Sequence, residues 1–273
     1  LHKWVTRMIM FGLYRTGKVP FENVYLWGLV TDEKGHKLSK SKGNYDDPMQ
    51  ITAKFGTDAL RLALSIGITP GNDGKVSEEK IKGYRNFCNK LWNVSRYITS
   101  KTNESTPPSV AKLESPADHW MVLQLNSAIK SMTKDIEAYK FSEAGQTAYS
   151  LLWSDLADKY LEYSKNSTNA PLLAYCLDTI LRLLHPFAPF VTEAIWQNLL
   201  WTNSNLITEQ WPNVIHKPST AEAKQFELEI IKVLSSKQKE ADSIELKKLQ
   251  KEHGVSELQD LINSGQCWMR EGH

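Results

Sequence analysis

Apolar residues recur at intervals of three and four over most of this chain, which is the pattern of amphipathic helices. The most regular stripe begins at Ser77, in a Ser-Glu-Glu-Lys sequence typical of a helix start, and continues to Ile98. Further stripes predict helices over 117–138, 141–165, 170–184, 189–201 and 221–252, with a linker over 99–116. Trp92 and Trp120 fall within these helices, and we expect both in the core. Several such helices joined by short loops predict a bundle.

The first 45 residues follow another pattern. Helical spacing from Trp4 to Leu13 is closed by Gly17 and Pro20, and the β-branched and aromatic run 24–30 then predicts a buried strand. A parallel strand of this kind is buried on both faces and needs neighbouring strands. We therefore expect most of the sheet to precede this sequence.

The region between these two patterns contains short helical pieces at 49–55 and 59–65, followed by a turn-forming cluster at 69–74. Asp58 stands directly before the second piece. A carboxylate in that position can accept hydrogen bonds from the free backbone N–H groups of a helix start. Asp58 is therefore predicted to be the N-cap of that piece.

Composition narrows the class of protein. The 273 residues are 41% apolar and 23% charged, as in ordinary globular proteins, and no uncharged apolar run is long enough to span a membrane. Three well-separated cysteines, Cys88, Cys176 and Cys267, make a disulfide framework improbable, so we expect a cytoplasmic protein. The net charge of +2 combines +8 in residues 1–103, −5 in 104–215 and −1 in 216–273. A basic first third suits a nucleotide or nucleic acid, and a merely solvated face explains it equally well.

The segment 35–44 is the most informative stretch for chemistry. Three lysines and two serines lie there between two glycines, directly after the predicted strand, and the spacing does not fit a Walker A loop. A lysine ammonium on a flexible stem can follow a phosphate whose negative charge grows as it departs. The alternative is a solvated lysine-rich turn.

The sequence Lys-Leu-Ser-Lys-Ser at 37–41 resembles the Lys-Met-Ser-Lys-Ser loop of class I aminoacyl-tRNA synthetases. The flanking segments resemble the valyl members of class Ia in particular: 4–8, 17–21, 24–30, 55–61, 86–93, 184–193 and 210–212. The resemblance spans roughly residues 3–212. It implies a mainly α chain with four parts: the end of a Rossmann-type α/β nucleotide-binding domain (1–45), a stem-contact segment (46–76), an α-helical anticodon-binding bundle (77–215) and a C-terminal helical extension (216–273).

The same resemblance implies ATP-dependent activation of valine to valyl-adenylate, with Mg²⁺ accompanying ATP as substrate, and transfer of valine to its tRNA. It makes Lys40 and Lys37 the catalytic residues that contact the ATP phosphates, in a loop shaped by Ser39 and Ser41. It places adenine beside the backbone of Gly28, Leu29 and Val30. Trp4 would wall the amino-acid pocket, although a core Trp on an amphipathic helix is as good an explanation. No protein-bound metal is expected.

The resemblance also implies that one face of the helix over 77–98 contacts tRNA. It assigns this role to five residues on that helix: Arg85, Asn89, Asn93, Arg96 and Tyr97. Tyr97 would stack on an anticodon base. Hydrogen bonds to other helices of the bundle are an alternative role for Arg85 and Asn89.

The His-Ile-Gly-His type motif of these enzymes does not occur in the 273 residues. We therefore expect the chain to be inactive in adenylate formation by itself and to act as a monomeric part of a synthetase that does not enter membranes. A stand-alone tRNA-binding module and another class Ia enzyme, such as the isoleucyl one, are the alternatives.

Overall fold

The computed structural model describes residues 3–31, 34–36, 47–102, 106–165, 168–215 and 218–230. Its α-helices are α1 (Val5–Thr16), α2 (Pro48–Phe55), α3 (Thr57–Ser65), α4 (Glu78–Lys101), α5 (Pro116–Glu137), α6 (Phe141–Ser150), α7 (Leu161–Ser164), α8 (Ala170–Leu184) and α9 (Pro189–Trp196). A π-helical segment, Leu151–Tyr160, joins α6 to α7, Leu206–Thr208 forms a 3₁₀ turn, and residues 220–230 are helical. Two short strands, β1 (Val30–Thr31) and β2 (Gly74–Lys75), pair in parallel. The mainly α fold is confirmed.

Helix α4 is the central element of the bundle. It begins as predicted, because the Ser77 hydroxyl accepts a hydrogen bond from the Lys80 N–H at 3.1 Å. Its apolar stripe is buried, with Phe87, Leu91 and Ile98 fully enclosed by the other helices. The predicted helix over 189–201 is shorter in the structure, where α9 ends at Trp196.

A buried carboxylate connects three elements of the bundle. Asp118, in the first turn of α5, accepts hydrogen bonds from the Tyr160 hydroxyl at 2.8 Å and the Asn169 amide at 2.7 Å. Asn169 in turn caps α8 by accepting from the Leu172 N–H. Burial is the main reason that the pKa of Tyr160 is raised, so its hydroxyl keeps the proton that it donates.

The prediction that Asp58 caps its own helix is wrong. Gly56 is the N-cap of α3, and the Asp58 carboxylate accepts instead from two backbone N–H groups at the start of α9: Phe190 at 3.3 Å and Val191 at 2.6 Å. Arg61, one turn further along α3, donates to the carbonyl oxygens of Pro186 and Phe187. Asp58 therefore caps a helix 131 residues away in sequence, counted to the first residue of α9, and it fastens segment 46–76 to the helical bundle.

The predicted first helix is present as α1, closed by Gly17 in the left-handed conformation at φ 70°. The predicted buried strand over 24–30 is wrong for this chain: only Val30 enters a strand, and Leu26 and Leu29 are exposed. Among the described residues β2 is the only strand that pairs with this extended run, so no sheet covers its two faces.

The helical segment 220–230 lies against the bundle. The Phe226 side chain is buried between the rings of Trp120 and Tyr163, at centroid distances of 5.3 Å and 5.0 Å. His119 supports the same contact, because its Nδ1 accepts from the Ser219 N–H while its Nε2 pairs with Glu222. Within the described residues, no helix is both long and apolar enough to cross a membrane.

Candidate nucleic-acid interface

Helix α4 brings three of the five predicted tRNA-binding residues to one groove. Asn89, Asn93 and Tyr97 follow each other at intervals of four, so they lie on one face of the helix. The groove has a volume of about 480 Å³, and its opposite wall is formed by the π-helical segment and by residues that follow it: Ala157, Asp158, Leu161, Glu162 and Lys165. This second wall carries no motif and was not predicted from the sequence.

The groove has neutral hydrogen-bonding groups at its centre and ion pairs along its sides. Asn89 and Asn93 are exposed and each offers an amide donor and acceptor. Lys90 pairs with Asp158 at 2.5 Å, and Lys165 pairs with Glu162 at 2.7 Å. Side-chain amides can bond the edges of unpaired bases, and the paired cations balance the two carboxylates. The arrangement suits an unpaired base better than a bare phosphate.

A cluster of three aromatic rings lies next to Lys90 of the groove. Phe87, Tyr149 and Trp153 are close to parallel, and their centroids form a triangle with distances of 4.6 Å from Phe87 to Tyr149, 5.7 Å from Tyr149 to Trp153 and 6.5 Å from Phe87 to Trp153. The Lys90 ammonium sits over the Trp153 ring at 4.1 Å, which fixes its side chain beside Asp158. Burial, assisted by the negative charge of Asp158, raises the pKa of Tyr149.

The two predicted arginines do not line this groove. The guanidinium of Arg85 lies 5.9 Å from the centre of the Phe55 ring, and it donates to the Asn86 amide oxygen at 3.4 Å. The contact with α2 is a cation–π contact and the hydrogen bond stays within α4, so hydrogen bonding of Arg85 to other helices of the bundle remains a prediction. Arg96 is exposed on the outer side of α4. Three of the five candidates therefore line the groove, and the two arginines lie apart from it.

The three backbone positions predicted beside adenine lie next to the loop 69–76. The Leu29 N–H donates to the Asp73 carboxylate at 2.8 Å, and the Leu29 carbonyl accepts from the Gly74 N–H at 2.9 Å. A Cβ atom on Gly28 would fall 1.7 Å from the Asn72 carbonyl oxygen, so only glycine fits. Val30 pairs with Gly74 in the strand register. Loop 69–76 thus fixes this extended run.

Trp4 is 69% exposed, and its ring is covered on one side by the Arg7 guanidinium at 4.9 Å. It is therefore not a core residue of this chain. The loop residues Lys37, Ser39, Lys40 and Ser41 lie outside the described residues. In the described part of the chain, no group of three or more His, Cys, Asp or Glu side chains is placed to hold a metal ion.

Trp120 is buried as predicted, at 3% exposure, but the prediction for Trp92 is wrong, because its indole is 42% exposed. Residue 92 lies one helical step beyond the buried Leu91, which turns its side chain out of the apolar stripe. The sequence does contain a signal for this exposure. On a helical projection Trp92 falls on the same side of the helix as the polar residues Arg85, Asn89 and Arg96.

Two family models match the chain. The model for class I tRNA synthetases of the I, L, M and V group matches residues 1–77, and the model for the anticodon-binding domain of tRNA ligases matches residues 118–253. Similar proteins include the valine–tRNA ligase of Bacillus cereus, 42% identical over 81% of this chain, and that of Geobacillus kaustophilus, 40% identical over 88%. These alignments cover 26% and 29% of the relatives, so the chain spans about a quarter of their length.

A solved structure has the same fold over most of the chain. It is the LeuRS of Agrobacterium radiobacter K84 in a ternary complex with tRNA and LeuAMS, and it matches with a TM-score of 0.66 and 25% identity over 77% of this chain and 26% of that one. The chain belongs to the class I aminoacyl-tRNA synthetases. Within that class, the sequence relatives named above are valine–tRNA ligases.

Proposed function

We propose that this chain functions as part of an ATP-dependent ligase that joins valine to its tRNA, and that its bundle binds the tRNA. The observation that carries the proposal is the groove formed by Asn89, Asn93 and Tyr97, which lies in a chain 40–42% identical to valine–tRNA ligases. Neither alternative is favoured. The class I synthetase model matches residues 1–77, which a stand-alone tRNA-binding module would not need. The relatives named above are valine–tRNA ligases, not isoleucine enzymes.

In the proposed reaction, the valine carboxylate attacks the α-phosphorus of ATP and the bond to the pyrophosphate leaving group breaks. We assign Lys40 and Lys37 to the neutralisation of the charge that gathers on the departing phosphates, in the loop that includes Ser39 and Ser41. ATP enters with Mg²⁺ as its counter-ion. We place adenine beside the strand end at residues 28–30, on the side that loop 69–76 leaves open, and valine near Trp4. The remaining features of the proposal are a monomeric state and a cytoplasmic location.

Amino-acid-dependent pyrophosphate exchange by the complete ligase tests the activity. We expect valine to support faster exchange than isoleucine. We expect Lys40→Ala to lower the exchange rate by orders of magnitude with little change in tRNA affinity, whereas the exposed Lys18→Ala leaves both unchanged. Exchange driven preferentially by isoleucine would refute the assignment of substrate, and undiminished exchange by Lys40→Ala would refute the role of the loop.

Binding of a valine tRNA transcript to this chain tests the RNA-binding part. We expect the affinity to fall steeply with salt, because phosphate contacts release counter-ions. Asn93→Ala should weaken binding, whereas Asn198→Ala, an exposed asparagine of the bundle away from the groove, should not. Binding that is insensitive to salt and to Asn93→Ala would refute this role for the groove.

A further inference from the structure

The outer face of α4 carries an unusual exposed indole. Six tryptophans lie in the described part of the bundle, and Trp92 is the one whose side chain is exposed. The side chains of Trp120 and Trp196 are at most 3% exposed. No ring, cation or hydrogen-bond contact of the Trp92 side chain is present within the described part of the chain. The Trp92 ring is 42% exposed, so part of its π surface is accessible to a base, and its surroundings on the helix indicate what it could contact.

The charges on α4 indicate the chemistry of that partner. Residues 80–101 contain six basic residues and no acidic one. Two of these cations are committed to the protein: Lys80 donates to the Ile66 carbonyl at 2.8 Å, and Lys90 pairs with Asp158. In contrast, Lys82 and Arg96 have no ion-pair partner among the described residues. Beyond its first turn, which contains Glu78 and Glu79, α4 carries only positive charge, and that part of the helix is complementary to a polyanion.

The indole and Arg96 lie on the same line of the helix, together with Arg85, whose guanidinium contacts Phe55 and Asn86. At 3.6 residues per turn, Arg85, Asn89, Trp92 and Arg96 fall within an arc of about 60° around the axis of α4. Trp92 is therefore flanked by one guanidinium nearly two turns before it and by another one turn after it. This strip adjoins the groove at Asn89, which belongs to both, whereas Asn93 and Tyr97 are turned further around the helix toward α7.

We propose that Trp92 is a stacking platform for an unpaired base of the tRNA, with Arg96 contacting the neighbouring phosphate, so that the RNA path continues from the groove onto the outer face of α4. The proposal rests on the proposed function, and it adds a second aromatic contact to that of Tyr97. An indole offers a π surface to any base, and an arginine beside it adds the charge that holds the backbone. An apolar protein partner would not use a strip whose other members are cations and an amide.

The test compares binding of a valine tRNA transcript to the parent chain and to Trp92→Ala, Trp92→Phe, Arg96→Ala and Phe190→Ala, at several salt concentrations. We expect Trp92→Ala to lower the affinity by about 5- to 150-fold, the range for loss of one base stack. The dependence of affinity on salt should stay as in the parent, because an indole displaces no counter-ion. Trp92→Phe should recover most of the affinity.

The other variants separate stacking from charge and from nonspecific effects. Arg96→Ala should lower the slope of log affinity against log salt by about 0.7–0.9, as expected for one lost phosphate contact. Phe190→Ala removes a ring that is 61% exposed elsewhere on the bundle and should bind as the parent does.

Three results would overturn the proposal. The first is a tRNA affinity of Trp92→Ala equal to that of the parent while the tRNA affinity of Asn93→Ala is lowered. This result would refute the role of Trp92 and would not affect the proposed function. The second is a change in self-association rather than tRNA affinity in Trp92→Ala, measured by sedimentation, which would make the indole a protein contact. The third is absence of tRNA binding by the parent chain, which would refute the proposed function together with this inference.

Discussion

Replacement of Asp58 by alanine should loosen the joint between segment 46–76, which contains α2 and α3, and the helical bundle. The Asp58 side chain is 6% exposed, and its two oxygens accept from the backbone N–H groups of Phe190 and Val191. A hydrogen bond to a charged group contributes about 1.5–3 kcal/mol, so two such bonds contribute about 3–6 kcal/mol before the cost of burying the carboxylate. Burial is the largest influence on the pKa of Asp58 and raises it, which shows that this cost is substantial.

The expected net loss for Asp58→Ala is therefore about 2–4 kcal/mol in the free energy of unfolding. Asp47 provides a matched control, because its carboxylate also accepts from a backbone N–H, that of Met49 at 3.0 Å, but on an exposed helix start. Asp47→Asn should cost only a few tenths of a kcal/mol, since asparagine caps helices as well as aspartate does. Denaturant unfolding followed by circular dichroism measures both values.

Hydrogen exchange locates the effect. In Asp58→Ala the amides of Phe190 and Val191 lose their acceptor and should exchange faster, while amides in the middle of α4 keep their protection until global unfolding. An unfolding free energy within about 0.5 kcal/mol of the parent, with unchanged exchange at the start of α9, would show that Asp58 does not hold the two segments together.

The pH dependence of this joint has a definite sign. The folded pKa of Asp58 lies above the ordinary value of 3.8, so the protonated form is relatively favoured in the folded state. The stability that Asp58 contributes relative to alanine should therefore be greatest below pH 3.8 and should decrease as the pH rises through the folded pKa. If the difference in unfolding free energy between the parent and Asp58→Ala grows as the pH rises over this range, the argument from burial is contradicted.

Three further variants or treatments test other parts of the structure. Gly28→Ala should separate the extended run from loop 69–76, because the new Cβ would lie 1.7 Å from the Asn72 carbonyl oxygen. The Gly74 amide, which donates to Leu29, should then exchange its hydrogen faster, and unchanged exchange would contradict the close approach of the two backbones. Phe226→Ala should release the helical segment 220–230 and lower the free energy of unfolding by about 2–4 kcal/mol. Limited proteolysis should then cleave this segment earlier than in the parent, whereas Leu228→Ala, at an exposed position of the same segment, should leave the cleavage unchanged. Burial raises the pKa of the Cys88 thiol to about 12, so iodoacetamide at pH 8 should label it only after unfolding, and rapid labelling of the native chain would refute its burial.

The sequence was a good guide wherever one helix buries one stripe. The period of Phe87, Leu91 and Ile98 and the capping Ser77 depend on neighbours within a few residues, and both are found in α4 as predicted. The predictions that failed depend on distant groups. Asp58 is an acceptable local cap, but Gly56 already starts the helix, and two N–H groups of α9 come within reach only after the chain has folded.

The same distinction explains what could be said of the candidate site. Asn89, Asn93 and Tyr97 share a helix face, so their proximity follows from helical geometry alone. The facing wall is contributed by Asp158 of the π-helical segment and Glu162 of α7, more than 60 residues later, and periodicity does not reveal where these elements pack. Trp92 was misjudged because hydrophobicity was weighed without its angle on the helix, where its neighbours are Asn89 and Arg96.

The three parts of the chain are joined with unequal strength, and this bears on how an ATP site could sense bound tRNA. The buried Asp58 and the exposed Arg61 fasten segment 46–76 to the bundle through charge-assisted hydrogen bonds, so these two parts move together. The extended run 23–31 is held by backbone bonds to loop 69–76 and by the Tyr25 ring, which lies 5.5 Å from Phe141. A shift of α3 on tRNA binding would therefore reach the proposed adenine site through this loop, and Gly28 is the point at which the two backbones touch.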